Sequence, residues 1–394
     1  MSTREVFVLG AARTAIGTFG GTLKDVPPTQ LATTALREAL RRSGAQAADI
    51  GHVVMGNVIP TDTRDAYLSR VAAIKSGLSQ ETPAFNVNRL CGSGLQAVVS
   101  AAQSILLGDT EFAIGGGAES MSRGPYLLPA ARWGARMGDI QGVDYMLGIL
   151  HDPFGKIHMG VTAENIAKRE SISREAQDAL AVESQRRAAN AIAQGYFREQ
   201  IVPVEITTRK GTVMFDTDEH VRGDTTIEQL AKMKPAFDKA GSVTAGNASG
   251  LNDGAAALVL ASGEAVASRG LKPLARLVSY AHAGVDPAYM GMGPVPASRL
   301  ALQKAGLRVA DMDVIESNEA FAAQACAVAR ALEFDPAKVN PNGSGISLGH
   351  PVGATGAIIA TKAIYELQRT GGRYALVTMC IGGGQGIAAI FERV

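Results

Sequence analysis

Cys91 lies in a setting that could make its thiol nucleophilic. Two glycines, Gly92 and Gly94, follow it closely, and an apolar helical run over residues 95–102 comes next. On such a strand-to-helix turn, backbone N–H groups and the positive end of the helix lower the pKa of a cysteine, and glycines let a bulky thioester approach the backbone. We therefore expect an activated thiolate at Cys91. The alternative is a small buried apolar residue, which is the usual fate of a free cysteine.

A histidine and a second cysteine lie on loops far along the chain. His350 follows a long uncharged stretch that begins at residue 340, and such a loop would present its imidazole as a general base. A hydrogen-bonded core histidine is the alternative. Cys380 comes at the end of an apolar run over residues 374–379, and active sites of open α/β sheets gather at the carboxyl ends of strands. We expect these loops to converge with Cys91 at one site.

Asn318 and Glu319 are further candidates because they follow an apolar strand pattern and precede a helix. Either side chain could orient a water molecule or a polarised carbonyl group, and an N-cap role for Asn318 is the alternative. Cys326, in the alanine-rich helix that follows, is interpreted as a packing residue. The three cysteines lack C-x-x-C spacing, so we predict no metal site, no disulfide framework and a reducing compartment, the cytoplasm.

Charge and glycine motifs exclude several classes of function. The 38 basic and 37 acidic residues leave a net charge of +1, which favours neither nucleic acid nor an anionic membrane. Gly343, Gly345 and Leu348 fall one residue short of the dinucleotide fingerprint, and no Walker A sequence occurs, so NAD chemistry and nucleotide hydrolysis lose their main support. Residues 91–108 carry no charge, but their glutamines and serines favour a buried helix over a membrane span.

Two stretches of sequence recur, which predicts two copies of one α/β unit. Residues 39–54 read as an amphipathic helix that ends at a glycine, then a loop and a β-branched strand, and the pattern returns at residues 301–315, a shift of 262 from 39 to 301. A second echo relates residues 112–117 to residues 379–384, a shift of 267. Chance similarity in a chain with 45 glycines is the alternative.

The repeats and the apolar runs together predict the domain organisation. We expect an N-terminal half from residues 1–120 and 251–271, an inserted segment from 121–250, and a C-terminal half from 272–394. The insertion should contain a long helix over residues 173–194, because Ser173 with Glu175 and Gln177 is typical of a helix start. Strands that alternate with helices predict a layered α/β architecture.

Together, these motifs resemble the thiolase family over the whole chain, and within it the biosynthetic acetyl-CoA acetyltransferases and broad-range β-ketothiolases. The segments that carry the resemblance are residues 13–17, 88–94, 245–253, 318–322, 343–353 and 380–386. The resemblance implies two thiolase-type halves, each with a five-stranded sheet, stacked in α-β-α-β-α layers, and a loop domain that covers the active site. It also implies a homotetramer built as a dimer of dimers.

Roles for individual residues come from the same resemblance. It implies that Cys91 becomes the acyl-thioester, that His350 activates it and that Cys380 moves the α-proton. Asn318 would hold a water that forms one oxyanion hole with His350, and the backbone N–H groups of Cys91 and Gly382 would form the other. The implied coenzyme A contacts are Arg222 near the adenine end, Ser249 and His158 along the pantetheine arm, and Leu150, Met159, Phe237 and Ala245 on the apolar walls.

The resemblance therefore predicts an acyltransferase, an acetyl-CoA C-acetyltransferase. It would make or split acetoacetyl-CoA and longer 3-ketoacyl-CoAs by reversible Claisen condensation, with ping-pong kinetics through the Cys91 thioester. Its partners would be acetyl-CoA, other acyl-CoAs and CoA, with no permanently bound cofactor, nucleic acid or membrane. Two alternatives stay open: a thioester hydrolase, for which Cys91 and His350 alone suffice, and a non-catalytic acyl-CoA-binding module.

Overall fold

Strands from both ends of the chain meet in one mixed β-sheet. The structure is a computed structural model that describes residues 4–208 and 211–394. The strands are β1 Val6–Arg13, β2 Gly17–Thr18, β3 His52–Gly56, β4 Ala84–Val87, β5 Phe112–Ser120, β6 Tyr126–Leu127, β7 Val143–Asp144, β8 Val204–Thr208, β9 Gly211–Phe215, β10 Asn252–Ser262, β11 Ala275–Gly284, β12 Val314–Ser317, β13 Tyr374–Ile381 and β14 Gln385–Arg393. The helices are α1 Pro28–Ser43, α2 Leu68–Lys75, α3 Ser93–Leu107, α4 Tyr145–Ile149, α5 Met159–Arg169, α6 Arg174–Gln194, α7 Ile227–Ala231, α8 Gly263–Arg269, α9 Pro294–Ala305, α10 Ala322–Ala331, α11 Gly345–Leu348 and α12 Thr355–Thr370.

The large sheet consists of two blocks joined edge to edge. Its strands follow the order β12-β13-β14-β11-β1-β10-β5-β3-β4, and β2 pairs with β10. β1 joins β11 through three residue pairs, beginning at Val6–Leu277, so this junction divides the sheet. The first block has five strands along this order, and the two-residue strand β2 is added beside β10. The second has four within the described residues, because Val339 makes only an isolated bridge to Ile315, and the expectation of five strands there was wrong.

The two blocks repeat one register. β3 runs parallel to β5 with Val53 beside Ile114, and β12 runs parallel to β13 with Val314 beside Ala375. Both residues of the second pair are shifted by 261 positions, from 53 to 314 and from 114 to 375. The duplication expected from the first sequence echo is therefore present in the fold.

The helix ends repeat as well. α1 and α9 each stop before a left-handed glycine, Gly44 with φ 71° and Gly306 with φ 67°. A short 3₁₀ helix follows each of them, at Ala47–Asp49 and at Val309–Asp311. Glycine is favoured at these positions because other residues are strained at positive φ.

The duplication predicted from the second sequence echo was wrong, because the two segments have different structures. Residues 112–117 lie inside β5, whereas the turn between β13 and β14 contains residues 382–384. β5 has Gly115 because α3 packs directly against the backbone at this position. A Cβ atom on Gly115 would lie 2.5 Å from the Cα atom of Val98.

The helices form the five layers implied by the resemblance. α3 packs on β5 and β3, α12 packs on β12 and β13, and these two helices contact each other between the blocks. α1 covers the outer face of the first block and α9 covers that of the second. The segment Leu90–Leu107 is apolar and long enough to cross a membrane by composition, but 61% of it is buried. The prediction that residues 91–108 form a buried helix is thus confirmed.

The inserted segment lies beside the second block. Its longest helix, α6, begins after Ser173, whose hydroxyl accepts a hydrogen bond from the N–H of Ala176, as the sequence predicts. α6 packs on α10 and α11, and α5 packs on α10 and on the 3₁₀ segment Pro287–Met292. These contacts hold the insertion against the segments that follow β11 and β12.

Candidate active site

One cavity of about 360 Å³ brings together the three side chains on which the sequence argument depends. Cys91, His350 and Cys380 all line it, although they come from three distant segments. Seven more of the predicted site residues line the same cavity: Gly382, His158, Met159, Leu150, Phe237, Ala245 and Ser249. Two do not, and these are Asn318 and Arg222.

Cys91 lies two residues before α3, on the turn that the sequence predicts. Burial raises the pKa of its thiol, while the backbone N–H groups of Gly382 and of Cys91 itself act in the opposite direction. The expected lowering of the pKa by the helix end was wrong, because loss of water around the thiolate outweighs the backbone dipoles. Cys91 therefore needs a base to remove its proton.

His350 has the properties of such a base. Burial lowers the pKa of its imidazole to about 4, so the ring is neutral at pH 7. Its backbone N–H donates to Oδ1 of Asn252 over 2.9 Å, and its Nδ1 lies 2.7 Å from Oγ1 of Thr355. Its Nε2 atom is buried and has no hydrogen-bond partner among the described residues. A fully satisfied core histidine, the alternative in the sequence argument, is thus excluded.

Cys380 is the penultimate residue of β13 and is fully buried. Burial and the neighbouring Cys91 thiol both raise the pKa of Cys380, so its resting form is the neutral thiol. A neutral thiol at the wall of the cavity can donate a proton, and its thiolate, once formed, is a strong base.

Asn318 follows β12 and is completely buried. Neither its Nδ2 nor its Oδ1 atom has a hydrogen-bond partner in the described part of the chain. It is not an N-cap, because α10 begins later and has Phe321 at that position. A buried amide without partners is costly, which indicates that it serves a bound molecule.

Glu319 is already engaged within the protein. Its carboxylate accepts hydrogen bonds from Ser184 Oγ at 2.6 Å and from Asn340 Nδ2 at 3.0 Å. Burial raises its pKa. Of the two polar candidates at this turn, Asn318 is therefore the one with free hydrogen-bonding capacity.

His158 and Phe237 form part of the cavity wall. The Nδ1 atom of His158 accepts the N–H of Gly160 over 3.0 Å, and the imidazole stacks on Phe237 with 4.5 Å between ring centroids. This arrangement leaves Nε2 as the ring atom available to a ligand. Arg222 lies outside the cavity and is exposed, and its backbone N–H donates to Oε1 of Gln185.

Part of the cavity wall and the buried Glu119 were not predicted from the sequence. The unassigned wall residues are Val58, Leu90, Met121, Leu147, Ile149, Ala236, Ala248, Gly250, Leu251, Ala320, Phe321 and Val352. Nothing in their residue types indicates a site. Glu119 had a signal, since it lies near the carboxyl end of β5 as Cys380 does on β13. Within the described residues, no cluster of three or more potential ligands could hold a metal ion.

The chain is similar to known proteins along its length. The thiolase N-terminal domain model matches residues 6–264 and the thiolase C-terminal domain model matches residues 271–393. The beta-ketothiolase BktB of Cupriavidus necator is 68% identical, with all of both chains covered. An acetyl-CoA acetyltransferase of Syntrophomonas wolfei is 51% identical, with 99% of each chain covered.

Solved structures give the same result. Human mitochondrial 3-ketoacyl-CoA thiolase superposes with a TM-score of 0.98 at 45% identity, and each chain is covered completely. The same human enzyme in complex with CoA superposes with a TM-score of 0.96 at 45% identity, over 100% of this chain and 98% of the other. The thiolase fold expected from the sequence is confirmed, and the chain belongs to the thiolase family.

Proposed function

We propose that this protein is an acetyl-CoA C-acetyltransferase that catalyses reversible Claisen condensation of acyl-CoA thioesters. Two acetyl-CoA molecules would give acetoacetyl-CoA and CoA, and an acetyl-CoA with a longer acyl-CoA would give a longer 3-ketoacyl-CoA. The observation that carries the proposal is the meeting of Cys91, His350 and Cys380 in one cavity. The names of the two relatives, beta-ketothiolase and acetyl-CoA acetyltransferase, support it.

In the first half-reaction the thiol of Cys91 attacks the carbonyl carbon of acetyl-CoA. Its proton passes to Nε2 of His350, which is unpartnered and belongs to a neutral ring, and then to the sulfur of the departing CoA. The acetyl group remains on Cys91 as a thioester. Covalent catalysis of this kind separates one difficult transfer into two easier steps.

In the second half-reaction the thiol proton of Cys380 passes to Nε2 of His350, and the Cys380 thiolate then removes an α-proton from another acetyl-CoA. The resulting carbanion attacks the Cys91 thioester, and the departing Cys91 sulfur takes the proton back from His350. Negative charge that develops on the two carbonyl oxygens needs preorganised donors. We assign the backbone N–H groups of Cys91 and Gly382 to one oxygen, and a water held by Asn318 together with His350 to the other. The two unpartnered amide atoms of Asn318 support the water site.

Coenzyme A would bind along the apolar wall of the cavity. Ser249 and His158 would contact the pantetheine arm, with Leu150, Met159, Phe237 and Ala245 as its walls, all of which line the cavity. We keep Arg222 as a contact of the adenine end, and its exposed position on the inserted segment is compatible with that part of a long ligand. No permanently bound cofactor enters this scheme, in which the CoA thioesters are the substrates.

We infer that the chain is organised as an N-terminal half of residues 1–120 and 251–271, a loop domain of residues 121–250 and a C-terminal half of residues 272–394. The repeated strand register on the two sides of the β1–β11 junction supports this division. We further propose a homotetramer in the cytoplasm. Exposed apolar side chains of the loop domain, among them Trp133 and Met137, support an assembly in which they are covered.

The test is to incubate the protein with acetyl-CoA and to quantify acetoacetyl-CoA and free acetate. We expect acetoacetyl-CoA from the wild type, and a loss of several orders of magnitude in Cys91→Ala. Release of acetate without condensation would indicate a thioester hydrolase instead. Binding of acetyl-CoA without any turnover would indicate a binding module, and full activity of Cys91→Ala would overturn the role of the thiol.

A further inference from the structure

Thr355, the first residue of α12, contacts the imidazole of His350 from behind the cavity. Its Oγ1 lies 2.7 Å from Nδ1 of His350 and 2.9 Å from the carbonyl oxygen of Pro351, to which it donates. We propose that Thr355 is a positioning residue that holds neutral His350 with its proton on Nδ1, so that the lone pair of Nε2 receives the proton of Cys91. This proposal rests on the function proposed above.

The single hydrogen of the Thr355 hydroxyl determines which ring nitrogen of His350 carries the proton. A threonine hydroxyl has one hydrogen and can donate only one strong hydrogen bond. Since that hydrogen is directed to the Pro351 carbonyl, the hydroxyl presents a lone pair to Nδ1 of His350. Nδ1 must then carry the proton, and in a neutral imidazole the other nitrogen, Nε2, is left as the acceptor.

The rest of the loop keeps the ring in place. The backbone N–H of His350 is bound to Oδ1 of Asn252, and the His350 side chain is buried. Nε2 has no partner in the described part of the chain, so nothing there competes for its lone pair. The titratable groups that share the cavity with His350 are Cys91, Cys380 and His158. None of these accepts the Nδ1 proton, which leaves Thr355 as the group that determines the tautomer.

The proton transfer is then defined atom by atom. The S–H bond of Cys91 breaks, its electron pair stays on sulfur, and the proton forms a new N–H bond with the Nε2 lone pair. His350 becomes an imidazolium whose Nδ1–H still donates to Thr355. A hydrogen bond from a charged donor is stronger than one from a neutral donor, so Thr355 also stabilises the ion pair that burial disfavours.

Two variants of Thr355 and one matched control test this role. Thr355→Val keeps the shape but removes the hydroxyl, and Thr355→Ser restores it. Thr361→Val is the control, because Thr361 is buried in the same helix and donates to the carbonyl four residues earlier, at 2.9 Å, without contacting a histidine. The measurements are the ¹⁵N chemical shifts of His350, which report the tautomer, and the rate at which acetyl-CoA acetylates Cys91.

We expect the wild type to show a protonated Nδ1 and an unprotonated Nε2. Thr355→Val should raise the population with the proton on Nε2 and slow acetylation by about 100-fold, the lower range for general base catalysis. Thr355→Ser and Thr361→Val should retain the wild-type tautomer and acetylate within about threefold of the wild type.

A proton on Nε2 in the wild type would overturn the proposal, as would wild-type rates in Thr355→Val or an equal loss in Thr361→Val. If the wild-type protein accepted no acetyl group, the proposed function would fail instead. The ¹⁵N spectra of the free protein would still test the tautomer in that case.

Discussion

Two side-chain clusters lie at equivalent positions of the repeated blocks, and only one of them has its polar groups hydrogen-bonded within the protein. A shift of 261 residues relates the register of β3 and β5 to that of β12 and β13. The same shift relates Asn57 to Asn318 and Glu119 to Cys380. Each pair therefore lies at the same place in its own block. The first block thus has a carboxylate, Glu119, where the second block has a thiol, Cys380.

The first cluster is closed. Oε1 of Glu119 accepts from Asn57 Nδ2 at 2.9 Å and from the Ile59 N–H at 3.1 Å. Oε2 accepts from the backbone N–H groups of Val58 at 3.0 Å and Gly353 at 2.8 Å. The carboxylate thus accepts four hydrogen bonds and ties the first block to the segment that carries His350.

The second cluster is open. Cys380 is shorter than a glutamate and cannot fill the same space, and the amide of Asn318 has no partner among the described residues. The space in front of Cys380 belongs to the cavity. In the first block, the chain supplies its own anion, Glu119, and the strand ends form a structural clamp. In the second block, the polar groups at the same strand ends are left for a substrate, and the result is a candidate active site.

Cys380→Glu should produce the largest effect, because it copies the closed cluster into the open one. We expect the new carboxylate to occupy the cavity and to bind Asn318, with condensation reduced by about 10⁴-fold. Acetoacetyl-CoA formation measures the loss, and thermal unfolding checks the fold. Cys380→Ser keeps the cavity open and should lose about 100-fold. Equal activity in the two variants would show that the cavity does not depend on the small thiol.

Glu119→Gln should open the closed cluster at the expense of stability. The amide NH₂ would face backbone N–H donors in place of an acceptor, which we expect to lower the free energy of unfolding by about 2–3 kcal/mol. Urea denaturation measures the change. Glu264→Gln, which alters an exposed carboxylate, is the matched control and should be close to neutral. A neutral Glu119→Gln would contradict the clamp.

Much of this site could be predicted from sequence because reactive residue types stand out on loops. Cys91, His350 and Cys380 were found from their types and their places at strand or helix ends, and all three line the cavity. The ends of two helices could also be predicted, because Gly44 and Gly306 are left-handed C-cap residues. Such signals depend only on a residue's type and its near neighbours in the chain, so they are visible in the sequence.

The remainder depends on the three-dimensional environment. The pKa of Cys91 was predicted in the wrong direction because the degree of burial cannot be read from a turn motif. The prediction from the second echo failed because the glycines of β5 lie in a strand that packs closely on a helix, a neighbouring strand and a loop, whereas the later triplet forms a turn. Thr355 had no sequence signal, because its role exists only through its contact with His350.

The most direct test of the account is to locate the acetyl group after the protein is mixed with acetyl-CoA and quenched in acid. Peptide mass spectrometry should find one acetyl group on Cys91, and addition of free CoA before the quench should remove it as acetyl-CoA. An acetyl group on Cys380, or none on any cysteine while acetoacetyl-CoA accumulates, would contradict the division of roles between the two thiols.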